Sequence, residues 1–335
     1  MHVQRGARAA RERGIPHATA PLLAQRPADI PPAPVENWRC TLALLILAAT
    51  FENSLTLTTF SVESLAAHNI TGDPTTSTLP TTSRLLGATL AAGPASLLMG
   101  RVGRRLGFVV GASLAVVGAL LCALAVHLRS FPLLLGASVI AGSEAGFGGF
   151  LRFAASEIVT PDLRPRAISW TVAASVVAAI VGPHFAQATR GLAPTEFVGT
   201  YLAVAALAGV YILVLLLNTG LPPPAIAAGG GGELGAGSAG RTSTCALLRQ
   251  GGFVVALLAQ VGGNMAMVFI MVAMPVVMHG LGFDYTVIAN VVTVHALGMY
   301  VPGFVTGELI RATSTAVVRK HPHASGLARR FVSWV

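Results

Sequence analysis

Three polar side chains stand in the middle of long apolar segments, where an ionisable group is costly. Glu52 and Asn53 lie within the apolar run 40–67, and Glu144 lies in the glycine-rich stretch AGSEAGFGGF of the run 131–156. A charged side chain at the centre of a bilayer costs about 2.5–3.5 kcal/mol on insertion scales, so such residues usually face a cavity or a partner. Two roles fit Glu52 and Glu144: proton or cation coupling, or hydrogen bonding between helices by a protonated glutamic acid.

Further polar residues lie in the last two apolar runs. His295 in the run 285–310 has a side chain that titrates near neutral pH, so it fits either a proton relay or a hydrogen-bonded packing residue. Gln260 and Asn264 place two amides one helical turn apart in the run 253–278. These residues complete the set of candidates within the apolar segments.

Two arginines also fall inside apolar runs, close to their ends. For Arg84 the alternatives are a side chain that reaches the lipid headgroups and one that binds an anionic substrate on entry. We expect the first, because long basic side chains snorkel to the interface. For Arg152 we expect a structural or gating role, either at the interface or paired with Glu157.

The sequence contains no set of residues that indicates covalent catalysis or a bound metal. The stretch AGSEAG around Ser143 misses the G-x-S-x-G nucleophile pattern by one residue, and neither H-E-x-x-H nor G-x-x-x-x-G-K-[ST] occurs. The three cysteines are scattered without a C-x-x-C pair, which excludes a cysteine framework. We therefore predict that the protein is not an enzyme and carries no cofactor or metal.

The composition is typical of an integral membrane protein. Hydrophobic residues make up 53% of the chain and charged residues only 10%, with a mean hydropathy of +0.70. A helix needs about 20 apolar residues to cross a bilayer. Eight segments fit that length, which predicts an all-α integral membrane protein with about eight transmembrane helices: 40–67, 78–99, 106–126, 131–156, 167–188, 197–218, 253–278 and 285–310.

The basic residues predict the orientation of these spans. All but four of the 22 Lys and Arg residues lie in segments that face the cytoplasm if the N-terminus is inside; Arg129 and Arg190 fall in outer loops. Both termini are therefore predicted to be cytoplasmic, in a plasma or inner membrane. The charge of +9 follows this sidedness rather than forming one aromatic-interleaved patch, so we predict the lipid bilayer and not nucleic acid as the partner.

Changes in composition divide the chain into five parts. Residues 1–39 are rich in arginine and proline and predict a disordered basic tail. Residues 219–250 contain GGGGELGAGSAG, which predicts a flexible cytoplasmic linker. These segments bound a six-span half at 40–218, two further spans at 251–311 and a basic C-terminal tail at 312–335.

The loop after the second span carries a specific pattern of glycine and arginine. It reads SLLMGRVGRRLGF and is so short that the two helices must turn sharply at its glycines. It resembles the signature G-x-L-x-D-R-x-G-R-R, which the major facilitator superfamily carries between spans two and three. The matching positions are Arg101, Gly103, Arg104 and Arg105, whereas Ser96 and Gly100 replace the leading glycine and the acid.

Two further loops support this resemblance. RFAASEIVTPDLRPRAISW after span four resembles the family's acid-then-arginine loop, through Glu157, Asp162, Arg164 and Arg166. GFVTGELIR after span eight resembles a second copy of the first signature, but the pattern stops after Arg311. The resemblance implies that these loops take part in cytoplasmic gating, together with Arg152.

The resemblance implies a secondary transporter that moves a small solute by alternating access. The family builds its central cavity from spans one, four, seven and ten, which directs Glu52, Asn53, Glu144, Gln260 and Asn264 towards that cavity. The absence of four further spans leaves an alternative, a truncated membrane scaffold or regulatory protein that does not transport. Self-association is then expected if the truncation is real. If the protein is a secondary transporter, protons are the expected coupling partner.

Overall fold

The computed structural model describes residues 37–160, 163–221 and 251–301, and regular structure in these ranges is entirely helical. We number the helices of these ranges in chain order. They are α1 (Trp38–Thr71), α2 (Leu79–Val102), α3 (Arg104–His127), α4 (Phe131–Gly148), α5 (Leu151–Glu157), α6 (Arg164–Thr189), α7 (Val198–Leu217), α8 (Gly251–Gly280) and α9 (Tyr285–Tyr300).

Seven helical segments of the described ranges are long and apolar enough to cross a membrane, with α4 and α5 counted together as one. α9 is apolar but shorter within these ranges, since the rest of the predicted eighth span lies outside the described residues. The prediction of an all-helical membrane protein with about eight spans is confirmed.

The predicted fourth span is not one continuous helix, because the helix is interrupted near its C-terminal end. α4 ends at Gly148, a turn covers Gly149 and Phe150, and α5 begins at Leu151. The stretch GFGG precedes the break, and glycine disfavours the interior of a helix by about 1 kcal/mol relative to alanine.

Small residues allow the first helices to approach each other closely. An added Cβ at Gly87 of α2 would overlap the carbonyl group of Val139, and one at Gly142 of α4 would overlap the backbone of Arg84. On the other side of α4, Gly118 of α3 fits directly against the backbone of Ala141. Packing through small residues is typical of membrane helices, where burial from water provides no force between them. α4 is therefore held tightly between α2 and α3.

The outer surface of the bundle is apolar. Leu90, Leu97 and Leu213 expose 62%, 70% and 60% of their surface, whereas the core between the helices is rich in alanine. Exposed leucines at this density are expected where lipid covers the protein. We call α1 to α7 with their connecting loops the six-span unit.

α8 has few neighbours in the described part of the chain. Its C-terminal half packs with Met271, Val272 and Met278 buried, but its N-terminal half is exposed. Several predictions concern residues outside the described ranges: the N-terminal tail, most of the linker, the C-terminal tail, Asp162, and the second loop signature at Gly307, Leu309 and Arg311. These remain predictions.

Candidate transport site

Glu52 of α1 and Glu144 of α4 lie in the same part of the interior. The Glu52 side chain packs directly on the backbone of Gly148, because a Cβ added there would lie 2.9 Å from its Oε1. Gly148 follows Glu144 by one helical turn, and the two carboxyl groups interact electrostatically. The fold therefore brings together the two acids that the sequence separates by 92 positions.

Glu144 is the more deeply buried of the two, with 2% of its surface exposed. Its Oε1 is shielded from solvent and has no hydrogen-bond partner among the described residues. Buried polar atoms are nearly always paired, so an unpaired carboxyl oxygen is available to a proton, a water molecule, an ion or a ligand. Glu52 is only partly buried.

Two tyrosines that the sequence analysis missed complete the surroundings of these acids. Tyr211 of α7 is 1% exposed and interacts electrostatically with both carboxyl groups. Tyr300 at the end of α9 interacts with Glu52. The available signal was their residue type, because each is an aromatic residue with a hydroxyl group inside a mainly apolar span. The site thus joins α1, α4, α7 and α9.

The neighbouring Asn53 does not extend this site through its amide nitrogen. Its Nδ2 donates a hydrogen bond of 2.8 Å to the carbonyl oxygen of Ala49, one turn earlier in α1. On the next turn, the hydroxyl of Thr56 is buried and unpaired within the described ranges. Thr56 follows Glu52 by four residues, so both lie on one side of α1.

The remaining candidates on α8 and α9 are less closely connected. Gln260 and Asn264 are exposed on the loosely packed half of α8, and the structure does not bring them to the two carboxyl groups. His295 is partly buried, and its Nε2 is shielded without a hydrogen-bond partner in the part of the chain described. The expectation that the two amides line a shared cavity stays a prediction.

The prediction for Arg84 is wrong, because this residue is buried rather than extended to the headgroups. Its Nε lies 3.2 Å from Oε2 of Glu63, and their side chains are 7% and 0% exposed. Ser138 of α4 donates a hydrogen bond of 2.6 Å to the other carboxylate oxygen of Glu63. The sequence analysis overlooked Glu63, which lies three helical turns beyond Glu52 in α1. Charge neutralisation explains why both side chains stay inside.

The loop after α2 has the geometry that its glycine predicts. Gly103 separates α2 from α3 with φ +91° and ψ 160°, a conformation that is essentially restricted to glycine. Gly100 lies inside α2 and has open space around its Cα, so the turn does not depend on it. The prediction of a sharp glycine turn is confirmed for Gly103 alone.

The arginines of this loop have different partners. Arg104 forms a two-pronged ion pair with Glu157 at the end of α5, at 2.5 and 3.2 Å. Arg105 donates hydrogen bonds to the backbone carbonyls of Leu215 and Leu216, at the end of α7. These contacts connect the loop to α5 and α7, whereas the side chain of Arg101 is exposed.

Arg152 and Arg166 do not join this network. Glu157 is paired with Arg104 instead of Arg152, which corrects one of the two roles expected for Arg152. Arg152 is exposed, its guanidinium lies 5.1 Å from the ring centroid of Phe153, and it interacts electrostatically with Glu52. Arg166 is exposed near the start of α6. A gating role for either residue stays a prediction.

The sequence has relatives among known membrane transporters. The riboflavin transporter RfnT of Brucella anthropi is 31% identical over 278 residues, which cover 81% of this chain and 67% of that protein. The uncharacterized MFS-type transporter YddS of Bacillus subtilis is 26% identical over 305 residues, covering 87% of this chain and 68% of that protein. The chain therefore spans about two thirds of these relatives.

A solved structure of the xylose transporter XylE from E. coli, in a partially occluded inward open conformation, was also matched. It has 13% sequence identity and a TM-score of 0.48, with 84% of this chain and 74% of that chain covered.

The strongest comparison is with a family as a whole. The family model of the Major Facilitator Superfamily matches residues 42–320, which include all the helices except the first turn of α1. Apolar helices of membrane length and the Gly103 loop lie within that match. Taken with the relatives, this match shows that the chain belongs to the Major Facilitator Superfamily, a family of membrane transporters.

Proposed function

We propose that this protein is a secondary transporter that moves a small solute by alternating access and couples the movement to protons through Glu52 and Glu144. The observation that carries the proposal is the unpaired, buried carboxyl oxygen of Glu144 beside a second carboxyl group. In the water-poor interior of a helical bundle, such a group requires a proton, a cation or a solute as its partner.

The position of the two acids supports coupling over a purely structural role. A structural acid between helices is expected to have hydrogen-bond partners, as Glu63 has in Arg84 and Ser138. Glu144 has an unpaired oxygen, and Glu52 is partly exposed. Two carboxylates repel each other in one cavity, so one proton shared between them lowers the electrostatic cost. Release of that proton to either side of the membrane then changes the net charge of the two carboxyl groups that a solute meets.

Tyr211 and Tyr300 lie within electrostatic range of the acids, and each has a flat apolar ring with a polar end. Aromatic rings stack favourably on planar ligands, and their hydroxyl groups offer hydrogen bonds. Because the relative RfnT is named a riboflavin transporter, we propose riboflavin as the first solute to test. Its ring system is planar and carries hydrogen-bonding groups, which fits these surroundings.

Uptake into vesicles with an imposed pH gradient tests this proposal. The unsubstituted protein should accumulate labelled riboflavin in response to the gradient, and Glu144→Gln should abolish the response to the gradient while solute exchange without it continues. Asp73→Asn changes an acid in the loop between α1 and α2 that bonds with Thr75, and as the matched control it should leave the response intact. A normal response in Glu144→Gln would contradict coupling through Glu144. If a purified, folded chain moved no solute at all, the non-transporting alternative would be favoured.

A further inference from the structure

The N-terminal end of α9 is inserted into a pocket on the six-span unit through Tyr285. This side chain is 5% exposed. Its hydroxyl donates a hydrogen bond of 3.3 Å to the carbonyl oxygen of Ser61 in α1. Its ring lies 4.5 Å below the guanidinium of Arg190 and 6.1 Å from the ring of Phe197. We call Ser61, Arg190 and Phe197 the Tyr285 socket.

Arg190 and Phe197 of the socket also have contacts other than those with Tyr285. Arg190 also forms an ion pair with Glu196 at 3.7 Å, and Asn69 at the end of α1 donates a hydrogen bond of 3.0 Å to Glu196. Phe197 has φ +69°, an unfavourable conformation for a bulky residue. A hydrogen bond from its backbone N–H to the carbonyl of Arg190 helps to hold it there. Backbone strain of this kind persists only where the surroundings enforce it.

A second contact fixes the next residue of α9. The side-chain amide of Gln187 in α6 donates a hydrogen bond of 2.6 Å to the hydroxyl of Thr286. Asp284 caps the helix by accepting the backbone N–H of Thr286 at 2.9 Å. Hydrogen bonds from the Thr286 hydroxyl and backbone lower the pKa of the Asp284 carboxyl from its usual value. The cap therefore stays ionised at neutral pH and stabilises the start of α9.

These contacts all lie at one end of the bundle, opposite to the Gly103 turn. α1 and α6 end there, and α7 and α9 begin there. The ring of His68 in α1 also lies 6.4 Å from that of His279, at the end of α8. This end is closed where α8 and α9 meet the six-span unit. Under alternating access, the contacts between the halves at this end must separate when the site opens towards it.

We propose that Tyr285 is the removable residue of this closure: the end opposite Gly103 stays shut while Tyr285 occupies its socket and opens when Tyr285 leaves. The inference rests on the proposed function only in treating the opening as a step of transport. The contacts given up are one hydrogen bond, one cation–π contact and one aromatic pair, each of modest strength. Such a set suits a closure that must open repeatedly, unlike the buried ion pair of Arg84.

Labelling of a thiol inside the site tests the closure without any solute. The native cysteines Cys40, Cys122 and Cys245 are first replaced by alanine, and Thr56→Cys places a thiol beside Glu52. In membrane vesicles, a membrane-impermeant maleimide is then added from the side of the socket. Tyr285→Ala should increase the labelling rate about tenfold, since it removes the ring contacts and the hydrogen bond. Tyr285→Phe retains the ring contacts and should change it less.

Phe283→Ala is the matched control, because Phe283 is an exposed aromatic residue two positions away. The proposal is overturned if Tyr285→Ala leaves the labelling rate unchanged, or if Phe283→Ala raises it equally. Folding of each variant is checked by its melting temperature in detergent, and a Tyr285→Leu variant replaces Tyr285→Ala if the latter does not fold.

A reversible cross-link provides the opposite change. Gln187→Cys with Thr286→Cys should form a disulfide on oxidation, which should slow labelling of the thiol at position 56 from the socket side. Reduction should restore that rate, and peptide mass spectrometry separates the label at position 56 from the label on the other two thiols. Ser64→Cys with Thr81→Cys forms the control link, since Ser64 of α1 and Thr81 of α2 both belong to the six-span unit. Unchanged labelling in the oxidised 187/286 variant would overturn the proposal. Labelling that responds as expected in a chain that moves no solute would reject the proposed transport and retain the closure.

Discussion

The guanidinium of Arg84 in α2 and the carboxylate of Glu63 in α1 form an ion pair of 3.2 Å inside the helical bundle. The backbone of Arg84 is at the same time in direct contact with Gly142 of α4. One residue thus contributes a charge contact to α1 and a close backbone contact to α4. This arrangement explains why an arginine near the end of an apolar run is withdrawn from the lipid headgroups.

We expect Arg84→Gln to destabilise the protein by about 3 kcal/mol or more, because it leaves the Glu63 carboxylate buried without a counter-ion. Glu63→Gln should have a similar effect for the same reason. The double variant Glu63→Gln/Arg84→Gln should lose less stability than the two single variants together, since it leaves no unpaired charge. Thermal unfolding in detergent measures all three.

The pair of Arg190 and Glu196 is the control for this prediction, because its side chains are 37% and 48% exposed. Water screens such a pair, so Glu196→Gln, which leaves Arg190 in place beside Tyr285, should cost less than about 1 kcal/mol. Equal losses in Glu63→Gln and Glu196→Gln would contradict the argument from burial.

Gly142→Ala should destabilise the contact of α2 with α4. The new methyl group would overlap the backbone of Arg84, which cannot rotate away as a side chain can. Overpacking of this kind costs about 1–3 kcal/mol. Gly136→Ala lies on the same helix with open space around it and should be neutral or gain about 0.5–1 kcal/mol through helix propensity. If the two variants unfold at the same temperature, the close approach is not important for stability.

Gly103→Ala should disturb the turn between α2 and α3. Its φ of +91° with ψ of 160° is unfavourable for any residue with a Cβ, at a cost of about 1–3 kcal/mol. Gly100→Ala, three residues earlier inside α2, should be tolerated. A melting temperature that falls for Gly100→Ala and not for Gly103→Ala would show that the turn has a different conformation.

Arg104→Lys should weaken the connection of the loop to α5. A lysine cannot reproduce both contacts of the guanidinium with the Glu157 carboxylate, although it keeps the charge. We expect a loss of about 1 kcal/mol, since both side chains are partly exposed. Arg101→Lys changes an exposed side chain and should have no measurable effect. Equal melting temperatures for the two variants would contradict a specific role of the ion pair.

Several features of the fold follow from local sequence. Hydropathy over about 20 residues is sufficient to place α1, α2, α3, α6 and α7, because a segment that crosses a bilayer must satisfy its backbone internally and expose apolar side chains. The turn at Gly103 was also predictable, since a loop of that length between two helices needs a residue without a Cβ. The loop signatures indicated the family, which the family model confirms. The orientation of the termini, the five-part division and the coupling roles stay predictions.

The sequence did not indicate which charges meet. Glu63 is 21 positions from Arg84, and Glu157 is 53 positions from Arg104 but only five from Arg152. Proximity along the chain suggested Arg152 for Glu157, and depth in the bilayer suggested the headgroups for Arg84. Both inferences failed because helix packing decides which side of each helix faces a neighbour, and hydropathy averaged over a span contains no such information.

The sequence by itself determined where the helices lie, which residues are too polar for lipid, and to which family the chain belongs. Only the tertiary structure decided that Glu52 and Glu144 share one interior with Tyr211, that Glu63 neutralises Arg84, and that Tyr285 enters a socket on α1 and the loop between α6 and α7. The physical reason is that the cost of placing a polar group in a membrane depends on that single residue. Whether that cost is offset depends on the partner that the packing of other helices brings within about 3 to 4 Å of the polar group.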